Sequence, residues 1–174
     1  MTDLSSVQSK ILGREDLARE FVRRQANGER GVFTNGCFDL LHLGHVRYLQ
    51  DARAAGDFLA LGLNSDESTR LLKGPGRPLV PANERAEILA ALACVTYVTI
   101  FAEKTATALV ELLQPAIYVK GGDYAGAQGT EPDLTRLPEA HSVLVYGGTI
   151  RLIPYLPGHS TTELIATIQR LPAK

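Results

Sequence analysis

The chain has 174 residues, 45% of them hydrophobic and 21% charged, with a formal net charge of −1. That length suits one domain able to build its own core without disulfide or metal staples. A pI near 6.4 excludes a broadly basic, nucleic-acid-coating surface, and 6% aromatics with no Trp make a sugar-stacking surface an improbable main theme.

The first residues are polar and lack the basic region, apolar core and cleavage site of a secretory leader, so residues 1–13 are expected to form a flexible N-terminus. Residues 14–174 are expected to form one domain. No apolar run approaches the roughly 20 residues of a membrane helix, and Cys37 and Cys94 are too few for a disulfide framework. A soluble, cytoplasmic protein with no membrane or nucleic-acid partner is expected.

From Arg14 to Gln25 the apolar positions Leu17, Ala18, Phe21 and Val22 recur at helical spacing, and Asn27-Gly28 ends the run. Gly31–Thr34 reads as a short strand opening into Asn35-Gly36. Leu43–Ala55 is helical in pattern, and Asp57–Leu63 is a near-continuous apolar run, as in a strand buried on both faces. Lys73–Pro78 holds two Gly and two Pro and is expected to be a loop. Asn83 reads as the N-cap of a helix over Arg85–Ala93, Val95–Phe101 as a strand, Thr105–Leu113 as a helix and Ala116–Val119 as a strand. After a Gly-rich stretch at 121–129, Ser142–Tyr146 and Ile150–Pro154 read as strands, with a hairpin at Gly147-Gly148 an option. A last helix begins near Ser160, with Leu164, Ile165 and Ile168 on one face.

Strands alternating with helices predict a Rossmann-like three-layer α/β/α sandwich around a mostly parallel sheet. Ligands of such sheets bind at the carboxyl ends of the strands. That directs attention to the loops at 35–45, 64–77 and 120–124.

The stretch Asn35-Gly36-Cys37-Phe38-Asp39-Leu40-Leu41-His42-Leu43-Gly44-His45 leaves the first strand and enters a helix near His42. Residues three apart share a helix face, so both imidazoles can point the same way from a helix N-terminus, where free N–H groups attract phosphate. The pair could equally be ordinary core or surface histidines. A zinc site with Cys37 would need further ligands, and the spacing matches no standard zinc pattern, so no protein metal site is expected. Ser160-Thr161-Thr162 at the head of the last helix could cap it or bind phosphate.

His42-Leu43-Gly44-His45 resembles the HxGH signature of the cytidylyltransferase-like nucleotidyltransferases, and Gly158-His159-Ser160-Thr161-Thr162 resembles their C-terminal G-x-S-T-T box. Further stretches, Val32–Asp39, Asn64-Ser65-Asp66, Lys73-Gly74-Pro75, Arg77-Pro78, Arg85, Val119–Tyr124 and Gly147-Gly148, most resemble the branch that adenylylates D-glycero-β-D-manno-heptose 1-phosphate. In many bacteria that activity is one half of a bifunctional chain with a sugar kinase; here it would be the stand-alone half.

The resemblance implies an HxGH nucleotidyltransferase fold and the reaction of ATP with a sugar 1-phosphate to give ADP-heptose and pyrophosphate. This would serve lipopolysaccharide and carbohydrate metabolism, with Mg²⁺ carried by the triphosphate and a homodimer as the assembly. It implies His42, His45 and Lys73 as catalytic residues. Asn35, Gly36, Cys37, Phe38, Gly44, Lys120, Gly121, Asp123, Tyr124, Ser160, Thr161 and Thr162 would bind nucleotide. Asp39, Asp66, Arg77 and Arg85 would bind the sugar phosphate. The alternatives are a CTP-dependent enzyme acting on glycerol 3-phosphate or a related alcohol phosphate, and a nucleotide-binding regulator without catalysis. Tyr155 stands where the glycerol 3-phosphate branch has arginine, which disfavours the first alternative, and Thr96 stands where heptose relatives often have an acidic residue.

Overall fold

A computed structural model describes residues 4–122 and 133–172. Its elements run α1 (Leu4–Gln8), α2 (Arg14–Ala26), β1 (Gly31–Gly36), α3 (Leu43–Arg53), β2 (Phe58–Asn64), α4 (Asp66–Lys73), α5 (Ala82–Ala90), β3 (Tyr97–Phe101), α6 (Thr107–Leu113), β4 (Ile117–Gly121), α7 (Ala140–Val145), β5 (Thr149–Ile153) and α8 (Thr161–Gln169). The strands form one five-stranded, all-parallel sheet in the order β3-β2-β1-β4-β5. Strand order reverses between β1 and β4. The ligand crevice of such a sheet is therefore expected over the ends of these two strands.

Alternation along each strand feeds two cores. Val32, Leu59, Leu61, Leu63, Val98, Ile117 and Val119 pack with Leu49 and Ala52 of α3 and with Ala86 and Leu89 of α5. Phe33, Phe58, Ala60, Phe101 and Tyr118 pack with Leu17 and Phe21 of α2, with Leu109 and Val110 of α6 and with Val143 of α7. All seven residues of β2 are buried, which is why the sequence there reads as an unbroken apolar run. No helix of the described residues is long and apolar enough to cross a membrane.

Four local expectations are corrected. Ser142–Tyr146 is not a strand: it lies in α7, whose Ala140 and Val143 are buried one helical turn apart. A parallel β4–β5 pair cannot be joined by a hairpin, so the connection must cross over the sheet. Gly147, at φ +82°, then ends the helix, with Gly148 N donating to Val143 O. Asp66–Lys73, read as part of a strand-end loop, is a helix capped by Ser65, whose Oγ accepts from Ser68 N. Asn83 is not an N-cap; α5 starts one residue before it, at Ala82, with Pro81 in the cap position. The first residues, expected to be loose, carry α1, and Leu12 N and Lys10 O bond the backbone of Val98 beside β3. There Lys10 Nζ donates to the carbonyls of Ala90 and Val95.

Candidate active site

A cleft of about 720 Å³ opens at the carboxyl end of the sheet. Its wall brings together Asn35 and Gly36 at the end of β1, Cys37, Phe38 and Asp39 after it, His42, Gly44 and His45 at the head of α3, Lys73 at the end of α4 and Arg77 beyond it. Lys120 and Gly121 at the end of β4 and Ser160, Thr161 and Thr162 at the head of α8 also belong to it. Asp123 and Tyr124 lie outside the described residues. Tyr48, Leu72, Leu156 and Glu163 also line it, unforeseen from the sequence, as do Asn64, Tyr155 and His159, which lie in the compared stretches but carried no expected role. Tyr48 was findable, being three residues beyond His45 on one helix face. Its hydroxyl lies 2.6 Å from Thr34 Oγ1 and donates to Val119 O at 3.2 Å, pinning α3 across β1 and β4.

The two imidazoles stack with centroids 3.9 Å apart, and Phe38 packs against His45 at 5.2 Å. Phe38 has φ +44°, a left-handed turn rare outside glycine; its ring folds back so far that a Cβ on Gly36 would sit 2.9 Å from it. Burial, and then the neighbouring His42, push His45 down to about 4. His42 is lowered by burial and by His159, with Glu163 opposing. Both rings are therefore neutral at pH 7. Nδ1 of each is buried without a hydrogen bond among the described residues. A backbone hydrogen bond to Leu40 opposes the lowering at His45, and a neutral imidazole keeps one N–H with which to donate.

His45 carries a testable consequence for stability. Between the unfolded value of about 6.5 and the folded value of about 4, the unfolded chain holds a proton that the folded chain does not. Stability is therefore lost as pH falls through this window. Urea unfolding at pH 4.5 against pH 7 should show a loss of up to about 2 kcal/mol that His45→Gln removes; an equal loss in the variant rules this ring out as the source.

The heads of α3 and α8 touch at Gly44, where a Cβ would stand 3.0 Å from His159 O and 3.0 Å from the His42 ring. Gly44→Ala is thus expected to lower kcat/KM at least about tenfold by displacing the histidines, without loss of Tm, since Ala favours a helix by about 1 kcal/mol. Ser160 caps α8: its Oγ accepts from Glu163 N at 3.1 Å and donates to Glu163 Oε2 at 2.9 Å.

On the β4 side Lys120 is 7% exposed and donates to Asn35 Oδ1 at 3.1 Å, which also accepts from Tyr118. Burial lowers its pKa, opposed by the Glu139 carboxylate and by Cys37. On the β2 side Asp39 accepts from Arg77 Nε at 2.5 Å, Leu79 N at 2.8 Å and Val80 N at 3.0 Å. It latches the segment after α4 onto the cleft. Lys73 stands exposed on the rim.

Arg85 and Asp66, expected at the sugar phosphate, are not part of the wall. The Arg85 side chain is fully buried and donates to Val80 O, Cys37 O, Asn64 O and Asp66 Oδ1. It braces three segments beneath the cleft, with four of the five guanidinium N–H groups engaged inside the fold.

Among the described residues no group of three or more His, Cys, Asp or Glu side chains is set to hold a metal. The wall's carboxylates are Asp39 and Glu163, both already accepting hydrogen bonds. Such a wall fits a cation that arrives on phosphate oxygens and water better than one caged by protein.

Residues 33–166 match the cytidylyltransferase-like family. The chain belongs to this family of nucleotidyltransferases. It is 50% identical over 160 residues to the bifunctional protein HldE of Trichlorobacter lovleyi, an alignment covering 92% of this chain and 31% of that protein. To HldE of Geobacter sulfurreducens it is 50% identical over 162 residues, with the same coverage. The chain thus spans just under a third of the length of these curated relatives. A crystal structure of a lipopolysaccharide core biosynthesis protein from Thermoplasma volcanium superposes with a TM-score of 0.58 at 24% identity, covering 74% of this chain and 98% of that one. It shares the Rossmann-like fold.

Proposed function

We propose that the protein transfers the adenylyl group of ATP to D-glycero-β-D-manno-heptose 1-phosphate, giving ADP-heptose and pyrophosphate. The observation that carries this reading is the cleft's division into two unlike wings about the stacked His42–His45 pair. The β2 wing offers Asp39, Arg77 and Lys73, suited to the hydroxyls and phosphate of a sugar phosphate. The β4–β5 wing offers Gly121, Tyr155, Leu156 and Pro157, suited to a flat nucleoside. The α-phosphate falls between them.

In this reading a sugar-phosphate oxygen attacks the α-phosphorus in line. The new P–O bond forms as the bond to the bridging oxygen breaks, and its electron pair leaves with pyrophosphate. No protein nucleophile is required, and positioning and electrostatics supply the catalysis. His42 and His45 donate to the α-phosphate and bridging oxygens, where charge builds. Ser160, Thr161, Thr162 and the free N–H groups of α8 hold the β- and γ-phosphates. Lys73 closes from the rim toward the α-phosphate. Arg77, half released from Asp39, grips the sugar phosphate. Mg²⁺, held by the triphosphate, neutralises phosphate charge when bound.

Assembly as a cytoplasmic homodimer belongs to the same reading; α8, with no buried residue and with Ile168 53% exposed, offers an uncovered apolar face. The names of the relatives and the structural neighbour, bifunctional HldE and lipopolysaccharide core biosynthesis, agree with a heptose substrate.

The decisive measurement is pyrophosphate release with each nucleoside triphosphate crossed against heptose 1-phosphates, other sugar phosphates and glycerol 3-phosphate. Turnover with ATP and a heptose 1-phosphate is expected. Preference for CTP with glycerol 3-phosphate would sink the reading, as would ATP binding without turnover on any acceptor.

A further inference from the structure

Tyr155 has no part in the chemistry set out above, yet it occupies a distinctive place. It follows β5 by one residue, and its ring leans over the last residue of β4: a Cβ on Gly121 would stand 2.7 Å from the phenol oxygen and 3.0 Å from Cζ. Only a glycine lets the ring lie so low. The residue is nonetheless 55% exposed and lines the cleft. Leu156 and Pro157 continue the same wall, and Lys120 at the end of β4 is buried. Charge is gathered at the other wing, on Asp39, Arg77 and Lys73. The β4–β5 wing therefore presents an aromatic plate beside exposed backbone. That is a surface for a flat ring with a π face and a hydrogen-bonding edge.

We propose that Tyr155 is the nucleobase-stacking residue of this site and selects a purine over a pyrimidine. The inference rests on the nucleotidyl-transfer reading above and deepens it. Stacking strength follows overlap area, and a two-ring base covers more of the phenol than a one-ring base. Selection by overlap comes from the ring face rather than from the hydroxyl. Phenylalanine should do as well.

The test is equilibrium binding of ATP and of CTP without any sugar phosphate, so that no turnover is involved. The wild type is expected to prefer ATP. Tyr155→Ala should lose about tenfold or more in ATP affinity, within the range for one base–aromatic stack. CTP should lose less, so that the preference shrinks at least about fivefold. Tyr155→Phe should stay within about twofold of wild type. Gly121→Ala reaches the same ring from another strand, since its methyl must lift the phenol, and should give the same purine-selective loss; it decides the matter if Tyr155→Ala folds poorly.

Equal losses for ATP and CTP would assign the ring to the triphosphate or the fold, and unchanged affinities would remove it from the site. Either overturns the proposal, as does a wild type without ATP preference. Because the readout is a ratio of binding constants, it is independent of the pyrophosphate-release panel. An enzyme that turned over a different acceptor would change the proposed function and leave this result standing.

Discussion

His45→Ala is expected to lower kcat for pyrophosphate release by about 10²-fold or more, with ATP affinity changed by less than about fivefold. The size is that of removing one preorganised donor from a developing oxyanion. The split between kcat and binding follows from where the ring sits. The heads of α3 and α8 keep the remaining phosphate donors, including His42 and Ser160–Thr162, so the ground-state triphosphate retains most of its partners. What is lost is the donor that gains strength only as charge moves to the bridging oxygen.

Because the rings stack at 3.9 Å, His42 also loses its support. The double variant His42→Ala/His45→Ala should therefore be little slower than either single one, as in groups that act as a unit. A fall of only a few-fold in kcat, or a loss in ATP affinity matching the loss in kcat, would make the pair structural.

Much of this arrangement is legible in residue order. A parallel sheet buried on both faces has to appear as short apolar runs, and Phe58–Leu63 does. A helix head that meets phosphate needs small residues and donors, and Gly44 between two histidines is that pattern. The errors share one physical origin, since they concern residues whose role is set by distant partners. Val143-Leu144-Val145 has local strand character, but the parallel pairing of β4 with β5 demands a crossover there. Asp39 reads only as a ligand carboxylate, and what the sequence hides is its second task, holding the backbone of Leu79 and Val80 about forty residues on. Tyr155 lies next to Gly121 only because β5 runs beside β4. None of these separations leaves a local mark.

Arg85 is the sharpest instance, and replacing it should have the largest effect on the fold. Between Glu84 and Glu87 it has the look of a surface arginine paired along its helix, or of a phosphate ligand. In the structure its side chain is fully buried, and its three nitrogens reach four acceptors: Val80 O at 2.8 Å, Cys37 O at 2.5 Å, Asn64 O at 3.0 Å and Asp66 Oδ1 at 2.7 Å. These acceptors belong to the β1–α3 loop, the end of β2, the head of α4 and the segment that leads into α5. One guanidinium fork thus ties together the elements that carry the phosphate side of the cleft. Arg85→Met leaves three buried carbonyls without donors, and a loss of about 3–5 kcal/mol is expected at about 1–3 kcal/mol for each unsatisfied group, the pair with the 41% exposed Asp66 adding little. For a chain of this length that corresponds to a Tm lower by roughly 10 °C. Arg85→Lys should recover little of it, because an ammonium cannot span acceptors set out for a planar fork. If the arginine instead gripped the sugar phosphate, Arg85→Lys would raise KM for that substrate and leave Tm within about 2 °C. Thermal melts and sugar-phosphate KM measured on the same variant separate the two roles. A bracing role also predicts where activity is lost in the surviving folded fraction: kcat/KM for the sugar phosphate falls before ATP affinity does, since Cys37 and Val80 flank the Asp39 latch while the head of α8 stands apart from it.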